Sequence, residues 1–242
     1  MSGLVVASGA CVVAGALVQS ATGFGFSLLS APLAYAAFHP KPAVGLLLLL
    51  GAEVNLMTLA TEGRRPQPLK RESVLILAFA APGALAGVAL LRALSSLALQ
   101  IAVTVGVLAT LALRHISRGR AHFPAWGAGI AAGALTTSTS TNGPPIVLHL
   151  LGVGAPPARV RDTLTTCLLG LSVIGGVALA VTGTPALPDA WVIVAFVPLV
   201  AIGHLAGRRV FSHLAERGHF ELVLNVVLLA AVIAGLVGVL VR

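Results

Sequence analysis

Charge is what this chain has least of. Asp, Glu, Lys and Arg make up 9% of its 242 residues, where a soluble domain carries roughly 25%. A chain so poor in charge cannot clothe a water-facing surface, so no soluble domain fits. Acidic residues are scarcest, seven against fifteen Lys and Arg, which gives a net charge of +8. Only two Cys occur, Cys11 and Cys167, both within apolar runs. They read as small buried hydrophobes rather than a disulfide or a metal pair. No His/Cys/Asp cluster has metal-ligand spacing and no phosphate-binding loop is present, so no metal and no other cofactor is expected. The N-terminus lacks the basic n-region of a signal peptide and is expected to belong to the fold.

What is present is hydrophobic: 57% of the residues, with a mean hydropathy of +1.02. This points to an all-α polytopic membrane protein, with room for about six to nine spans of about 20 residues each. In a soluble protein the positive balance would suggest nucleic acid. Here the basic residues sit in short loops, so lipid headgroups and topology explain them better, and no nucleic-acid partner is expected.

The chain is organised around a polar interruption at 136–145, TTSTSTNGPP, inside the apolar run 126–151. Hydrocarbon cannot hydrogen-bond a broken backbone, so a break at membrane depth survives only where protein covers it or it lines a cavity. One reading is a kinked helix whose hydroxyls bond their own backbone. A second break at 20–27, SATGFGFS, at the corresponding place in the first half favours a built site. A shift of 118 residues aligns Gly15-Ala16-Leu17 with Gly133-Ala134-Leu135, Ser20 with Ser138 and Gly25 with Gly143. A shift of 120 aligns Gly83 and Gly87 with Gly203 and Gly207. The expectation is two membrane repeats, 1–122 and 123–242, within one integral membrane domain.

Full spans are expected at 43–60, 74–91, 97–113, 163–182, 191–206 and 222–241. His39-Pro40-Lys41-Pro42 reads as a turn. Loop 183–189 has no Lys or Arg and is expected outside, whereas the basic loops 61–73, 114–123, 155–161 and 208–219 are expected inside. That places twelve of the fifteen Lys and Arg inside. Segment 124–153 then begins and ends on one side, so it must be a hairpin, and segment 3–38 becomes a hairpin entered from outside. Each repeat has one broken-helix hairpin plus three transmembrane helices. An odd number of crossings makes the two repeats inverted. The competing topology treats each broken segment as a single crossing.

In the hairpin layout both half-helices that leave the breaks start near the middle of the bilayer. Asn142-Gly143 suits a helix end with a left-handed residue, Pro144-Pro145 a first helical turn, and Ser27 a cap for the helix beyond it. Free N–H groups and positive dipole ends then converge, which favours an anion. A helix end contributes about 0.3–1 kcal/mol, roughly 2 when partly buried, while stripping water from an anion costs several kcal/mol. Side-chain donors must supply the difference, because no Lys or Arg lies at mid-span. The candidate substrate-binding residues are Ser20, Thr22, Gly23, Phe24, Gly25, Phe26, Ser27, Ser138, Thr139, Ser140, Thr141, Asn142, Gly143 and Pro144. The expected guest is a small anion held by neutral donors, loosely enough to leave.

Four other residues are candidates for coupling or gating. Glu53 lies midway along its span, where a carboxylate is functional by default; it carries a coupling proton or packs against Asn55. His149 faces the site or bonds a carbonyl. Arg161, next to Asp162, gates the inner mouth or is paired locally. His204 reads as interfacial. Coupled H+ or Na+ and homo-oligomerisation are left open.

Gly23-Phe24-Gly25 followed by Pro32-Leu33, the break Asn142-Gly143-Pro144-Pro145, the paired Gly-xxx-Gly spans and the two repeats resemble the sulfite exporter TauE/SafE family, also called the toluene-sulfonate uptake permease group. The resemblance covers nearly the whole chain. It implies a secondary transporter of small sulfur-containing anions, such as sulfite or organosulfonates, in the bacterial inner membrane. Two other functions stay open on the residues. One is transport of another solute such as a cation, whose charge Glu53 would neutralise. The other is an intramembrane enzyme with a Ser or Thr nucleophile and His149 as base; no orienting acid is evident for it, so no catalytic residue is assigned.

Overall fold

The structure, a computed structural model, describes residues 2–61, 63–95, 97–99, 101, 123–184 and 187–217. The expected span 97–113, the loop 114–123 with Arg114, Arg118 and Arg120, and the last span 222–241 fall wholly or mostly outside the described residues. The delimited elements are α1 (Ser2–Thr22), α2 (Phe26–Ala37), α3 (Pro40–Thr61), α4 (Lys70–Ala93), α5 (Ala125–Thr139), α6 (Gly143–Val153), α7 (Pro157–Val181) and α8 (Ala190–Arg217). No strand occurs among the described residues. Within α1, α3, α4, α7 and α8 lie five stretches long and apolar enough to cross a membrane. The short helices α2 and α6 have 12 and 11 residues, too few for a bilayer core that needs about 20.

The long helices outrun their apolar stretches. Residues 40–42 form the first turn of α3 rather than a separate turn, because Pro loses no ladder bond in a first helical turn. Helix α8 continues through Arg208 and Arg209 to Arg217. Charge ends the hydrophobic stretch there without ending the hydrogen-bonded ladder.

Glycine lets two helix pairs close tightly, and in each pair the partners come from different halves of the chain. Gly83 and Gly87 of α4 lie against the backbone carbonyls of Ile130 and Ala134 of α5, where an added Cβ would overlap the oxygens. Gly203 and Gly207 of α8 lie in the same way against Val13 and Leu17 of α1. This is the small-xxx-small approach that replaces hydrophobic driving force inside lipid. Thr137 adds a hydroxyl donated to the Ala84 carbonyl at 2.6 Å. Each Gly-xxx-Gly helix therefore closes on the broken arm of the other half.

Both broken segments fold back on themselves. On α2, Ser30 donates its hydroxyl to the Cys11 carbonyl of α1 at 3.2 Å, and Gly15 faces the Phe26 carbonyl. On α6, His149 Nδ1 lies 2.8 Å from the Phe123 carbonyl, just before α5 begins. A single crossing would hold these pairs far apart. One face of the bundle gathers the end of α1, where Arg161 donates to the Ser20 carbonyl at 2.6 Å. The same face holds the starts of α4, α5 and α7, tied by Gln67 N–H to Asp162 and Leu69 N–H to Thr163 at 2.7 and 2.9 Å and by Glu72 to His149 at 2.8 Å. Helix α1 ends on the face where α5 begins, so the two arms run in opposite directions.

The buried apolar residues form two clusters. One joins α1, α2, α3 and α8 with parts of α4 and α7 around Val12, Tyr35, Leu47 and Val200; the other joins α5, α6 and α7 with parts of α2 and α4 around Ala132, Ile146, Leu164 and Cys167. Cys167 is buried and Cys11 half-buried, and both are free thiols. Val181 and Val194 are each 72% exposed, and Trp126 and Trp191 also face outward. An apolar exterior of this kind suits lipid.

Candidate binding site

The first break is made by Gly23 and Gly25, whose φ angles are 87° and 109°, a region where a Cβ is strained. The Thr22 hydroxyl closes the turn, 2.9 Å from the Val18 carbonyl and 2.8 Å from that of Phe24. The second break turns at Ser140, which ends α5 with φ 58°, its N–H donated to the Thr136 carbonyl at 3.1 Å. The left-handed residue expected at Asn142-Gly143 is therefore Ser140. Asn142 is right-handed and precedes α6, with Pro144 and Pro145 in the first turn as expected. Ser27 makes no capping bond, because α2 begins one residue earlier. Gln19 takes that place: its Oε1 accepts the Phe26 N–H at 3.0 Å.

Between the breaks lies a cavity of about 20 Å³, room for about one water. Residues 25–28 form one wall and residues 140–143 the facing wall; Gln19, Leu47, Gly51, Asn55, Leu168 and Ser172 complete the lining. Gly51 and Ser172 sit near the middle of α3 and α7, so the cavity is at mid-depth. Its two walls touch where Ser27 Oγ and Ser140 Oγ are 3.5 Å apart and where Gly143 packs on the ring of Phe24.

The arms overlap rather than meet tip to tip. Gly23 has run on until it packs against Arg161, in the second turn of α7. From the other side, Thr139 has advanced along α2 until its carbonyl accepts the Tyr35 hydroxyl at 2.6 Å. The cavity lies between, where the first turns of α2 and α6 face each other. These first turns are unequal as donors. First-turn amides have no partner within their helix, so Phe26, Ser27 and Leu28 all present N–H groups on the α2 side. Pro144 and Pro145 have none, which leaves Gly143 as the main backbone donor of α6.

Of the residues singled out in the sequence, Gly25, Phe26, Ser27, Ser140, Thr141, Asn142, Gly143 and Asn55 line the cavity. Ser138 and Thr139 turn their hydroxyls to their own helix, to the carbonyls of Ala134 and Leu135 at 2.7 and 3.1 Å. The kinked-helix reading thus describes these two, while the residues just beyond them open onto the cavity. Thr22, Gly23 and Phe24 support the first turn from behind, and Pro144 is buried in α6. Ser20 Oγ lies 2.8 Å from His204 Nδ1, whose Nε2 is 2.9 Å from Thr61 Oγ1. His204 is buried within the bundle, between the end of α1 and the end of α3.

The coupling and gating candidates scatter. Glu53 is half-buried on α3 outside the lining, and its Oε2 has no hydrogen-bond partner. Asn55 pairs with Gln19 at 2.7 Å instead of with Glu53. His149 is held between Glu72 and the Phe123 carbonyl, both at 2.8 Å, away from the cavity. Arg161 is buried against Ser20, and Asp162 binds Arg64 through two 2.8 Å contacts. Gln19, Gly51 and Ser172 went unmarked in the sequence. Gln19 carried a signal: it is the only carboxamide in α1 and sits one residue before the first break.

No curated protein and no solved structure matches the chain. The sequence model of the sulfite exporter TauE/SafE family matches residues 7–235, nearly the whole length, and the chain belongs to that family.

Proposed function

We propose that the chain is a secondary transporter of sulfite or a small organosulfonate, and that the anion is held in the cavity between the two breaks. Membership of a sulfite exporter family carries the substrate class. One observation carries the site: two half-helices from oppositely directed arms open their N-terminal turns onto the same mid-depth cavity. Amide and hydroxyl donors there stabilise negative charge without a fixed cation. A Lys or Arg would hold the guest more tightly and slow its release.

A cavity with room for about one water is a closed conformation. A sulfite-sized guest enters only when the walls at Ser27 and Ser140 part. We take residues 1–122 and 123–242 as inverted repeats that rock against each other, with the reciprocal glycine contacts of α4 on α5 and α8 on α1 as support. The face that gathers Arg64, Arg65, Lys70, Arg71, Arg159 and Arg161 is then cytoplasmic, and the protein resides in the bacterial inner membrane. Glu53, with an unbonded carboxylate oxygen, is the candidate carrier of a coupling proton.

The test is sulfite flux into proteoliposomes together with thermal unfolding of the purified protein. A ligand present at 100 times its dissociation constant stabilises by about 2.7 kcal/mol. Sulfite should stabilise the wild type. Replacing Ser140, Thr141 and Asn142 together with Ala should abolish both the stabilisation and the flux while leaving membrane insertion intact. Unchanged flux in that variant would remove the site.

A further inference from the structure

We propose that Gln19 is an internal competitor for the transported anion, and so sets how tightly the cavity holds its guest. The proposal rests on the cavity being the anion site, and it assigns a specificity role to a residue outside both breaks.

The orientation of the Gln19 amide follows from its partners. The Phe26 N–H can only donate, so the Gln19 atom 3.0 Å away is the carbonyl oxygen. The Gly51 carbonyl can only accept, so the Asn55 atom 2.7 Å from it is the amide nitrogen. The Asn55 oxygen is then left to accept from the Gln19 amide nitrogen, at 2.7 Å. Two backbone ends thus fix both side-chain amides, and flipping either one would set like against like. The relay runs from Phe26 on α2 through Gln19 on α1 to Asn55 and Gly51 on α3. Gln19 and Asn55 are both buried and both line the cavity.

Gln19 Oε1 therefore occupies the first N–H of α2, a position that an oxyanion oxygen would take. Because Pro144 and Pro145 strip donors from the α6 side, the α2 amides carry most of the backbone contribution, and Gln19 covers one of its three. A guest must displace this oxygen to use that donor. When the guest leaves, Gln19 returns and no buried N–H is orphaned. A single competing hydrogen bond of ordinary net strength changes affinity by roughly three- to tenfold.

The experiment is calorimetric titration of the full chain, purified in detergent, with sodium sulfite and with sodium chloride as the salt control. Gln19→Met keeps the length of the side chain but removes the competing oxygen; sulfite should bind it roughly three- to tenfold more tightly. Gln19→Glu keeps the shape and, when titrated at about pH 9–10 so that the buried carboxyl is ionised, places a carboxylate on the same N–H with its other oxygen against that of Asn55. Sulfite should bind it there at least about tenfold more weakly than it binds the wild type, as an anion facing a like charge. General loss of structure weakens both variants and cannot move them in opposite directions. If only one variant folds, as read from its thermal midpoint, that variant decides. Wild-type affinity in a folded variant overturns the role of Gln19 and leaves the cavity reading intact. Weaker binding to Gln19→Met makes Gln19 a direct ligand and also overturns the proposal. A wild-type chain that does not bind sulfite overturns both.

Discussion

Tyr35, the only tyrosine in the chain, donates its hydroxyl to the Thr139 carbonyl across the two halves, at 2.6 Å. That carbonyl belongs to the last turn of α5, where the break at Ser140 removes the amide that would continue the ladder. An unpaired carbonyl at membrane depth is costly. Tyr35 supplies a donor from α2, so the break in one hairpin is completed by the helix of the other. Tyr35→Phe keeps the ring and deletes the donor. It should lower stability by about 1–3 kcal/mol, the cost of leaving a buried acceptor unsatisfied, seen as a lower thermal midpoint in detergent. An unchanged midpoint would mean that another donor reaches Thr139.

The glycine contacts give a paired test. A Cβ at Gly87 would overlap the Ala134 carbonyl and meet the Thr137 hydroxyl, whereas a Cβ at Gly176 would meet nothing within 4 Å. Both positions are inside helices. Gly176→Ala should therefore be neutral or stabilising by about 0.5–1 kcal/mol through helix propensity. Gly87→Ala should destabilise by about 1–3 kcal/mol, because α4 and α5 must move apart. Thermal unfolding of the two single variants checks this, and equal midpoints would refute the close packing.

Much of this arrangement was legible in the sequence because hydropathy and charge report directly on depth and side. The five candidate spans fall on the apolar stretches, and the basic loops at 114–123 and 155–161 on either side of segment 124–153 required it to return to its own side. What hydropathy does not encode is which amide faces which. Asn142-Gly143 looked like the turn, but α6 begins at Gly143 with two prolines behind it, so the chain had to reverse three residues earlier, at Ser140. Ser27 looked like the cap of α2, but Gln19 from the neighbouring helix reached the N–H first. Ser138 and Ser140 are indistinguishable by composition. One falls inside the last turn of α5 and bonds back to Ala134, while the other leaves the helix and reaches the cavity.

The ion pair at the basic face should respond asymmetrically. Asp162 is 1% exposed and Arg64 41%. Asp162 also accepts the Gln67 N–H at 2.7 Å. Asp162→Ala leaves a guanidinium that solvent already reaches, whereas Arg64→Ala leaves a buried carboxylate that has lost its counter-charge and keeps the Gln67 N–H. Removing the exposed partner should therefore be the more damaging change, by up to about 3–5 kcal/mol, the range for stranding a buried charge. Chemical denaturation of both variants would show it; a larger loss in Asp162→Ala would place the cost in the lost loop contacts instead.

Ser140 sets stability against function at a single residue. Its φ of 58° lies in the left-handed region, which costs an L-residue about 1–2 kcal/mol and which glycine enters freely. Nothing in the fold demands a side chain there, since the backbone N–H already bonds Thr136 and helices commonly end on glycine in this conformation. The hydroxyl instead reaches the cavity wall, 3.5 Å from Ser27. Strain kept at a position that glycine would relieve points to a use for the side chain. Ser140→Gly should raise stability by about 0.5–1 kcal/mol, the strain relieved less the entropy that glycine loses on folding, and should weaken sulfite binding in the same preparation. Thermal unfolding with and without sulfite measures both at once. A variant that is more stable and still fully stabilised by sulfite would show that the hydroxyl takes no part in holding the anion.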